Sequence, residues 1–227
     1  MAKRHFSLVT HGFVVLGLWA GLADAQSTVN GQVSIAERPG GRTDDLANVV
    51  VYLEPTGPRP KPGSAAAVVT LQGRQFSPRI RVVTAGSTVA FTNQDAFNHN
   101  VFSKATHGPF DTQSYGRGKA REHVFRAPGV YPIYCNVHPR MTGYVIAVST
   151  PYHAQAGADG RFTIADVPPG SYRMTIWHDR AAPQSATITV DAGGAAGLRY
   201  QLDARTYHFV QHKNKFGRDY TSGGDVY

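Results

Sequence analysis

The stretch GVYPIYCNVHPRMTGYVIAV, residues 129–148, contains two runs of β-branched and aromatic residues separated by a short loop. Runs of this composition, bounded by Gly and Pro, are typical of β-strands. Alternate side chains of a strand share one face, so Tyr131 and Cys135 are predicted to point into the core together. His138 and Met141 follow the only cysteine of the chain at intervals of three. We therefore expect Cys135, His138 and Met141 to converge at one end of a β-sheet.

The same strand pattern extends over most of the chain. Short apolar runs recur between Gly, Pro, Asn and Asp residues, and signals for helices are almost absent. Many short strands at this spacing are typical of β-sandwiches and β-barrels. A length of 227 residues allows one large domain or two small ones. The sequence therefore predicts an all-β protein.

Two compositional breaks divide the chain. The segment PTGPRPKPGS (55–64) is rich in Pro and Gly, and STPYHAQAGADG (149–160) ends in an Asp-Gly turn signal. We expect a domain at about 65–149 between the two breaks. The last segment, 204–227, is basic and aromatic with a Gly/Ser-rich end, and it is predicted to be an extended or partly ordered arm.

The first 25 residues have the features of a secretory signal peptide: a short basic start, a brief apolar run, and small residues before Gln26. We therefore expect export to the periplasm and cleavage. No later segment is long and apolar enough to span a bilayer. The formal net charge of +8 favours an acidic partner or a membrane surface, and an exported chain with scattered basic residues is not expected to bind nucleic acid.

A single cysteine in an exported chain leaves four interpretations: a buried bystander, an intermolecular crosslink, a reactive thiol or a metal ligand. A thiolate with an imidazole suits copper, and a thioether adds a preference for Cu(I). A redox copper site of this kind needs a second imidazole. His99 is the candidate, because it closes the loop after the predicted strand in STVAFTNQDAFNHNVFS (87–103).

Two segments carry a resemblance to a known family. FSPRIRVVTAGSTVAFTNQDAFNHNVF (76–102) and YCNVHPRM (134–141) resemble the cupredoxins, the type 1 blue-copper proteins, and the second segment resembles the short Cys-x₂-His-x₂-Met loop of the amicyanin-like members. The resemblance implies a Greek-key β-sandwich with one type 1 copper ion. By resemblance, the equatorial ligands are His99, Cys135 and His138, and the axial ligand is Met141. Asn100 would match the asparagine that ties the His strand to the Cys loop.

The resemblance also implies what the protein does. It implies single-electron transfer between redox partners, with no enzymatic activity, since four side chains would leave no open metal position. The electron would leave through His138, with an apolar docking rim predicted at Phe97, Pro109 and Pro139. Tyr134 could offer a second route, although plain packing accounts for it equally well.

A second resemblance covers residues 156–202, which are similar to the carboxypeptidase regulatory-like (transthyretin-like or Cna-B-like) β-sandwich. Residues 29–55 supply the strands with which that family normally begins. We therefore expect a discontinuous domain, 26–57 and 150–203, into which the cupredoxin is inserted. The layout resembles exported proteins of the methylamine-utilisation type. A rigid mount is a simpler role for this domain than ligand binding.

Two other functions remain open at this stage. The protein could bind and deliver copper without shuttling electrons, or the β-sandwiches could form an interaction module. Among the other histidines, His178 is the one for which a functional role is considered, and the rest are interpreted as surface or hydrogen-bonded residues.

Overall fold

The computed structural model describes residues 27–41, 43–58, 60 and 63–220. The predicted signal peptide therefore lies outside the described residues. Within them the chain forms β-strands and one 3₁₀ turn, Leu46–Asn48, which confirms the predicted all-β fold. The described part of the chain contains no helix that is long and apolar enough to cross a membrane.

The strands follow one another along the chain with short connections. In order they are β1 (Ser27–Ala36), β2 (Val50–Pro55), β3 (Ala66–Gln72), β4 (Gln75–Ser77), β5 (Ile80–Thr84), β6 (Thr88–Asn93), β7 (Phe102–Ser103), β8 (Phe110–Asp111), β9 (Ala120–Val124), β10 (Gly129–Tyr134), β11 (Thr142–Val148), β12 (His153–Gln155), β13 (Arg161–Val167), β14 (Gly170–His178), β15 (Ala181–Val190) and β16 (Ala195–Asp203).

Strands β3 to β11 form a unit that we call the central sandwich. Its two sheets have the orders β5-β11-β10-β7-β8 and β4-β3-β6-β9. The pairs β3–β6 and β5–β11 are parallel, so the chain crosses between the sheets as a Greek-key sandwich requires. Phe91, Phe125 and Ile133 are completely buried in the core of this sandwich.

The remaining strands form the flanking sandwich, with sheets β13-β1-β16 and β12-β2-β14-β15. Each sheet combines a strand that precedes the central sandwich with strands that follow it. β1 and β16 pair in parallel, so the first and last described strands are neighbours. We propose that these sheets form the predicted discontinuous domain, 26–57 and 150–203. Its boundaries, those of the inserted domain (65–149) and those of the tail (204–227) stay predictions.

The sequence pattern missed several short strands. β12 lies inside the second predicted break, where His153–Gln155 pairs with Tyr52–Val50 of β2. β7 and β8 are two residues each. Segments of two or three residues carry too little alternation to be detected, because their strand conformation is set by a partner that is distant in the sequence.

The two sandwiches share a small apolar core. Val50 and Trp177 of the flanking sandwich pack with Ile80 and Ile146 of the central one. Beside this core, Arg79 donates to the buried carboxylate of Asp179 at 2.6 Å. A shared core with an ion pair beside it gives the central sandwich a fixed mount.

An ion-pair network closes the flanking sandwich near the 3₁₀ turn. Arg180 donates twice to Asp45, at 2.7 Å each, and also to Glu37 at 3.0 Å. Burial raises the pKa of Asp45, but hydrogen bonds from Arg180 and the charge of His178 outweigh it, so the pKa lies below its usual value. The hydrogen bond from Arg180 also lowers the pKa of Glu37. Both carboxylates are therefore ionised at neutral pH.

We expect Arg180→Met to destabilise the protein by about 2 kcal/mol at pH 7, because it leaves two partly buried carboxylates without their cation. The measurement is urea unfolding followed by circular dichroism. The pKa values of Asp45 and Glu37 are lowered in the folded state, so the stability that they contribute is present above about pH 4 and is lost as the pH falls further. The difference between the two proteins should therefore shrink below pH 4.

Arg161→Met is the matched control for this prediction. The Arg161 side chain is 76% exposed and lies 3.4 Å from the carboxylate of Asp159, which is also largely exposed. An exposed pair of this kind contributes little, and we expect a change below about 0.5 kcal/mol. Equal effects of the two substitutions would contradict the structural role given to Arg180.

Candidate metal centre

Cys135 follows directly after β10 and is completely buried. The side chains of Tyr131 and Ile133 are buried on the same face, as the alternation predicted. The loop that follows is closed by two backbone hydrogen bonds. The N–H of Cys135 donates to the carbonyl of Met141 at 3.2 Å, and the N–H of Met141 donates to that of His138 at 3.0 Å. The loop therefore holds Cys135 and His138 at a fixed separation.

His99 lies between β6 and β7, where a single bridge pairs it with Tyr115, and its side chain is completely buried. Its Nε2 is 2.8 Å from a carboxylate oxygen of Asp95. An ionised carboxylate only accepts hydrogen bonds, so Nε2 carries the proton and Nδ1 keeps a free lone pair. That Nδ1 lies 3.5 Å from the sulfur of Cys135.

The structure also brings His138 to the thiol. Its Nδ1 lies 3.5 Å from Sγ of Cys135, and its ring centroid is 4.7 Å from that of His99. The donor atoms of His99, Cys135 and His138 all lie within 4.8 Å of one another. Unlike the imidazole of His99, that of His138 is only partly buried. One member of the cluster therefore reaches the protein surface.

Met141, the fourth predicted ligand, is 1% exposed and packs in the same core cluster as Cys135. It is the last residue of the loop, immediately before β11. Its main chain closes the loop through the two hydrogen bonds described above. Its role as an axial ligand stays a prediction.

Burial sets the protonation of the cluster. It raises the pKa of the Cys135 thiol, although the backbone N–H groups of Asn100, Val137 and His138 favour the thiolate. Burial also lowers the pKa of His99, against the opposing effect of Asp95. A neutral thiol has one proton and can donate it to only one of the two nitrogens.

Asn100 joins the loop of His99 to the loop of Cys135. Its side-chain oxygen accepts the N–H of Asn136 at 2.7 Å and lies 3.8 Å from the Cys135 sulfur. Its side-chain nitrogen donates to Asp111 at 3.0 Å. This contact confirms the prediction that the Asn100 side chain ties the segment of His99 to the loop of Cys135.

Sequence reasoning missed Asp95. Its carboxylate accepts the N–H groups of Gly73 and Arg74, at 2.8 and 3.0 Å, in addition to its contact with His99. Burial raises the pKa of Asp95, but these hydrogen bonds together hold it below its usual value. The only sequence signal for the role of Asp95 is its position four residues before a candidate histidine. This spacing does not predict that Asp95 also binds the backbone of the distant turn at Gly73.

The chemistry and spacing of the donors fit a metal ion. Bonds of about 2.0–2.3 Å from one ion would place a sulfur and a nitrogen roughly 3.5 Å apart. Both Sγ to Nδ1 distances have this value. A thiolate with two imidazoles is the ligand set of blue-copper sites, in which the axial ligand is a weak thioether. His99, Cys135 and His138 could therefore hold copper without rearrangement.

A second cluster of possible ligands contains Asp45, His178 and Asp179. In it the two carboxylates already pair with Arg180 and Arg79. Nδ1 of His178 accepts the N–H of Arg180 at 3.2 Å. This cluster is a charge-compensated ion-pair network that supports the flanking sandwich.

Two of the three residues predicted for the docking rim lie beside His138. Phe97 lies against it, with ring centroids 5.3 Å apart, and Pro139 is its neighbour in the chain. Pro109 precedes Phe110, whose ring stacks on His123 at 4.0 Å. The participation of Pro109 in the rim stays a prediction.

Comparisons with known proteins relate the central sandwich to one family. Amicyanin-alpha of Methylorubrum extorquens is 32% identical over 90 residues, which are 37% of this chain and 73% of that protein. Residues 141–198 match the model of polysaccharide lyase family 4, domain II. This match is to a β-sandwich domain, and it is consistent with a second sandwich in the chain.

Several solved structures are also similar to part of this chain. A purple cupredoxin from Nitrosopumilus maritimus is 29% identical over 36% of this chain and 99% of its own, with a TM-score of 0.33. Amicyanin from Paracoccus versutus is 25% identical over 43% of this chain and 98% of its own, with a TM-score of 0.35. A copper-containing nitrite reductase from Thermus scotoductus is 24% identical over 51% of this chain and 28% of its own, also with a TM-score of 0.35.

The relationship to amicyanin-alpha covers most of that protein, and it agrees with the Greek-key sandwich and with the His-Cys-His cluster. Through this domain the chain belongs to the cupredoxins, a family of copper proteins that act in electron transfer.

Proposed function

We propose that this protein is a periplasmic type 1 copper protein that transfers single electrons between redox partners. One observation carries the proposal: two imidazole nitrogens lie 3.5 Å from one buried thiol sulfur. The proposed ligands are His99, Cys135 and His138, with Met141 in the axial position. Copper bound there would supply a one-electron couple between Cu(II) and Cu(I).

The protein residues would hold the ligands before the ion arrives. Asp95 fixes the tautomer and orientation of His99, as outer carboxylates commonly do for metal-binding histidines. Asn100 keeps the Cys135 loop against the His99 loop. Because both loops are fixed by hydrogen bonds, little reorganisation is needed when the electron moves.

The exposure of the two imidazoles suggests where the electron would leave. His99 is completely buried, whereas His138 is partly exposed and follows Val137, whose exposure is 44%. We propose that a redox partner docks at His138 and Val137, beside Phe97. Without the predicted signal peptide the formal net charge is +7, and together with the exposed Arg140 it favours a partner with an acidic face.

Export and the lack of enzymatic activity are parts of the same proposal. The predicted signal peptide supports a periplasmic location. Four protein side chains around one ion would leave no position for a substrate, which supports an electron carrier over an enzyme.

We expect metal-free protein to bind one equivalent of Cu(II) and to gain an intense visible absorption band, which a mild reductant removes reversibly. Cys135→Ser should abolish the band, because it replaces the thiolate. It should also weaken copper binding by more than the roughly 10–100-fold that loss of an outer-shell partner costs. Absorption, EPR and copper titration are the measurements.

His208→Ala is the matched control, because His208 is an exposed imidazole that could bind copper adventitiously. This variant should retain the band and the stoichiometry. A colourless site that releases Cu(I) readily would favour copper delivery over electron transfer. A biological phenotype that Cys135→Ser leaves intact would favour an interaction module.

We expect Asp95→Asn to weaken copper binding about tenfold, because the amide cannot keep all the hydrogen bonds that fix His99. Asp159→Asn is its control, since Asp159 also accepts a backbone N–H in an exposed turn but lies in the flanking sandwich. Copper competition titrations of both variants give the comparison. Equal affinities would show that Asp95 does not orient His99.

A further inference from the structure

The C-terminal segment, as far as Tyr220, packs against both sandwiches. After β16 the N–H of Ala204 donates to the carbonyl of Ala36, and Tyr207 packs against the flanking core. The chain then crosses to the central sandwich, where residues His212–Tyr220 lie against the Cys135 loop. We call His212–Tyr220 the strap. Its position differs from the extended or partly ordered arm that its polar, Gly-containing sequence suggested.

The strap has its own closed shape. The side-chain oxygen of Asn214 accepts the N–H groups of Phe216 and Arg218, at 3.0 and 3.1 Å. The backbone N–H of Asn214 donates to the carbonyl of Arg218 at 2.8 Å. Gly217 has a φ of +79°, which other residues rarely adopt. These hydrogen bonds all lie within the strap, so its turn is held by local contacts in addition to those with the Cys135 loop.

Two contacts reach the Cys135 loop directly. The hydroxyl of Tyr220 donates to the carbonyl of Cys135 at 2.7 Å, and burial raises the pKa of Tyr220, which keeps the phenol neutral. The N–H of Lys215 donates to the side-chain oxygen of Asn136 at 2.9 Å. The strap therefore holds the main chain at the thiol and at the residue that follows it.

A third contact joins the strap to Asn100. The ammonium of Lys215 is 2.7 Å from Asp111, whose other oxygen accepts from Asn100 at 3.0 Å. Asn100 in turn accepts the N–H of Asn136. A closed ring of hydrogen bonds runs from Lys215 through Asp111, Asn100 and Asn136 back to Lys215. Burial raises the pKa of Asp111, but the donors, led by Lys215, hold it below its usual value.

Aromatic packing completes the contact. The His212 ring stacks on Tyr134, with centroids 4.3 Å apart and planes at 27°. Tyr220 meets the edge of His212 at 5.3 Å. The strap thus covers the side of β10 that carries Tyr134, the predicted second electron route. With the strap docked, Val137 is still 44% exposed, so the proposed partner site at His138 stays accessible.

We propose that the strap is part of the metal site, and that Tyr220 and Lys215 are positioning residues for Cys135. They act through the Cys135 carbonyl and through the Asp111–Asn100 ring, and they hold the thiol where the two imidazoles meet it. This inference rests on the proposed function for its effect on copper, but its effect on the loop exists without a metal.

The first test uses metal-free protein and measures the rate at which Cys135 reacts with a disulfide reagent. We expect the double variant Tyr220→Phe, Lys215→Met to react roughly tenfold faster, because it loses one neutral and one charge-assisted hydrogen bond that oppose local opening. A chain shortened to residue 207 should react at least as fast. Amide hydrogen exchange of residues 133–141 should increase in parallel.

Two further variants make this test specific. Lys215→Arg keeps the cation, so the variant Tyr220→Phe, Lys215→Arg should react more slowly than the variant Tyr220→Phe, Lys215→Met. Val210→Ser changes a tail residue that is 81% exposed and should leave the rate unchanged. Unchanged rates in the double variant and in the shortened chain would overturn the proposal. If the shortened chain does not fold, the double variant decides the question alone.

The second test uses copper-loaded protein. We expect the double variant to shift the visible absorption band and the reduction potential, whereas Val210→Ser should change neither. If the double variant binds copper and its absorption band and reduction potential are unchanged, Tyr220 and Lys215 do not position Cys135. The proposed function would still stand in that case. If the full chain binds no copper, the proposed function fails, and the thiol rates still decide whether the strap holds the loop.

Discussion

The side-chain amide of Asn100 is the contact on which the site depends. It accepts a hydrogen bond from the loop of Cys135, while its own loop carries His99. Two segments that are distant in the sequence are thereby kept in one place, and the thiol lies between two imidazoles. A buried polar link of this kind is costly to break, because both groups would lose their partners away from water.

Other contacts hold in place the residues that this hydrogen bond joins. The core of the central sandwich fixes the end of β10, and Asp95 fixes the imidazole of His99. The flanking sandwich holds the central one through Trp177 and the Arg79–Asp179 ion pair. A site that must change oxidation state with little movement requires such support, since each loose element would add reorganisation.

The sequence predicted the all-β fold and the convergence of His99, Cys135 and His138, because both depend on local patterns. Alternation identified the buried face of Cys135, and spacing within short loops placed His138 near it. Asp95 and the strap could not be predicted in the same way. Tyr220 contacts Cys135 across 85 residues, and neither has a sequence signal that points to the other. Such contacts depend on the tertiary arrangement of the two sandwiches, which local sequence patterns do not predict.

The pairing of β1 with β16 has a consequence for how the chain folds. All strands of the central sandwich lie between residues 66 and 148, so they are complete before β16 has been synthesised. The flanking sheet joins the first and the last described strands, and such non-local pairing forms slowly. The central sandwich can therefore acquire its shape as a nascent module, and the flanking sandwich closes around it last.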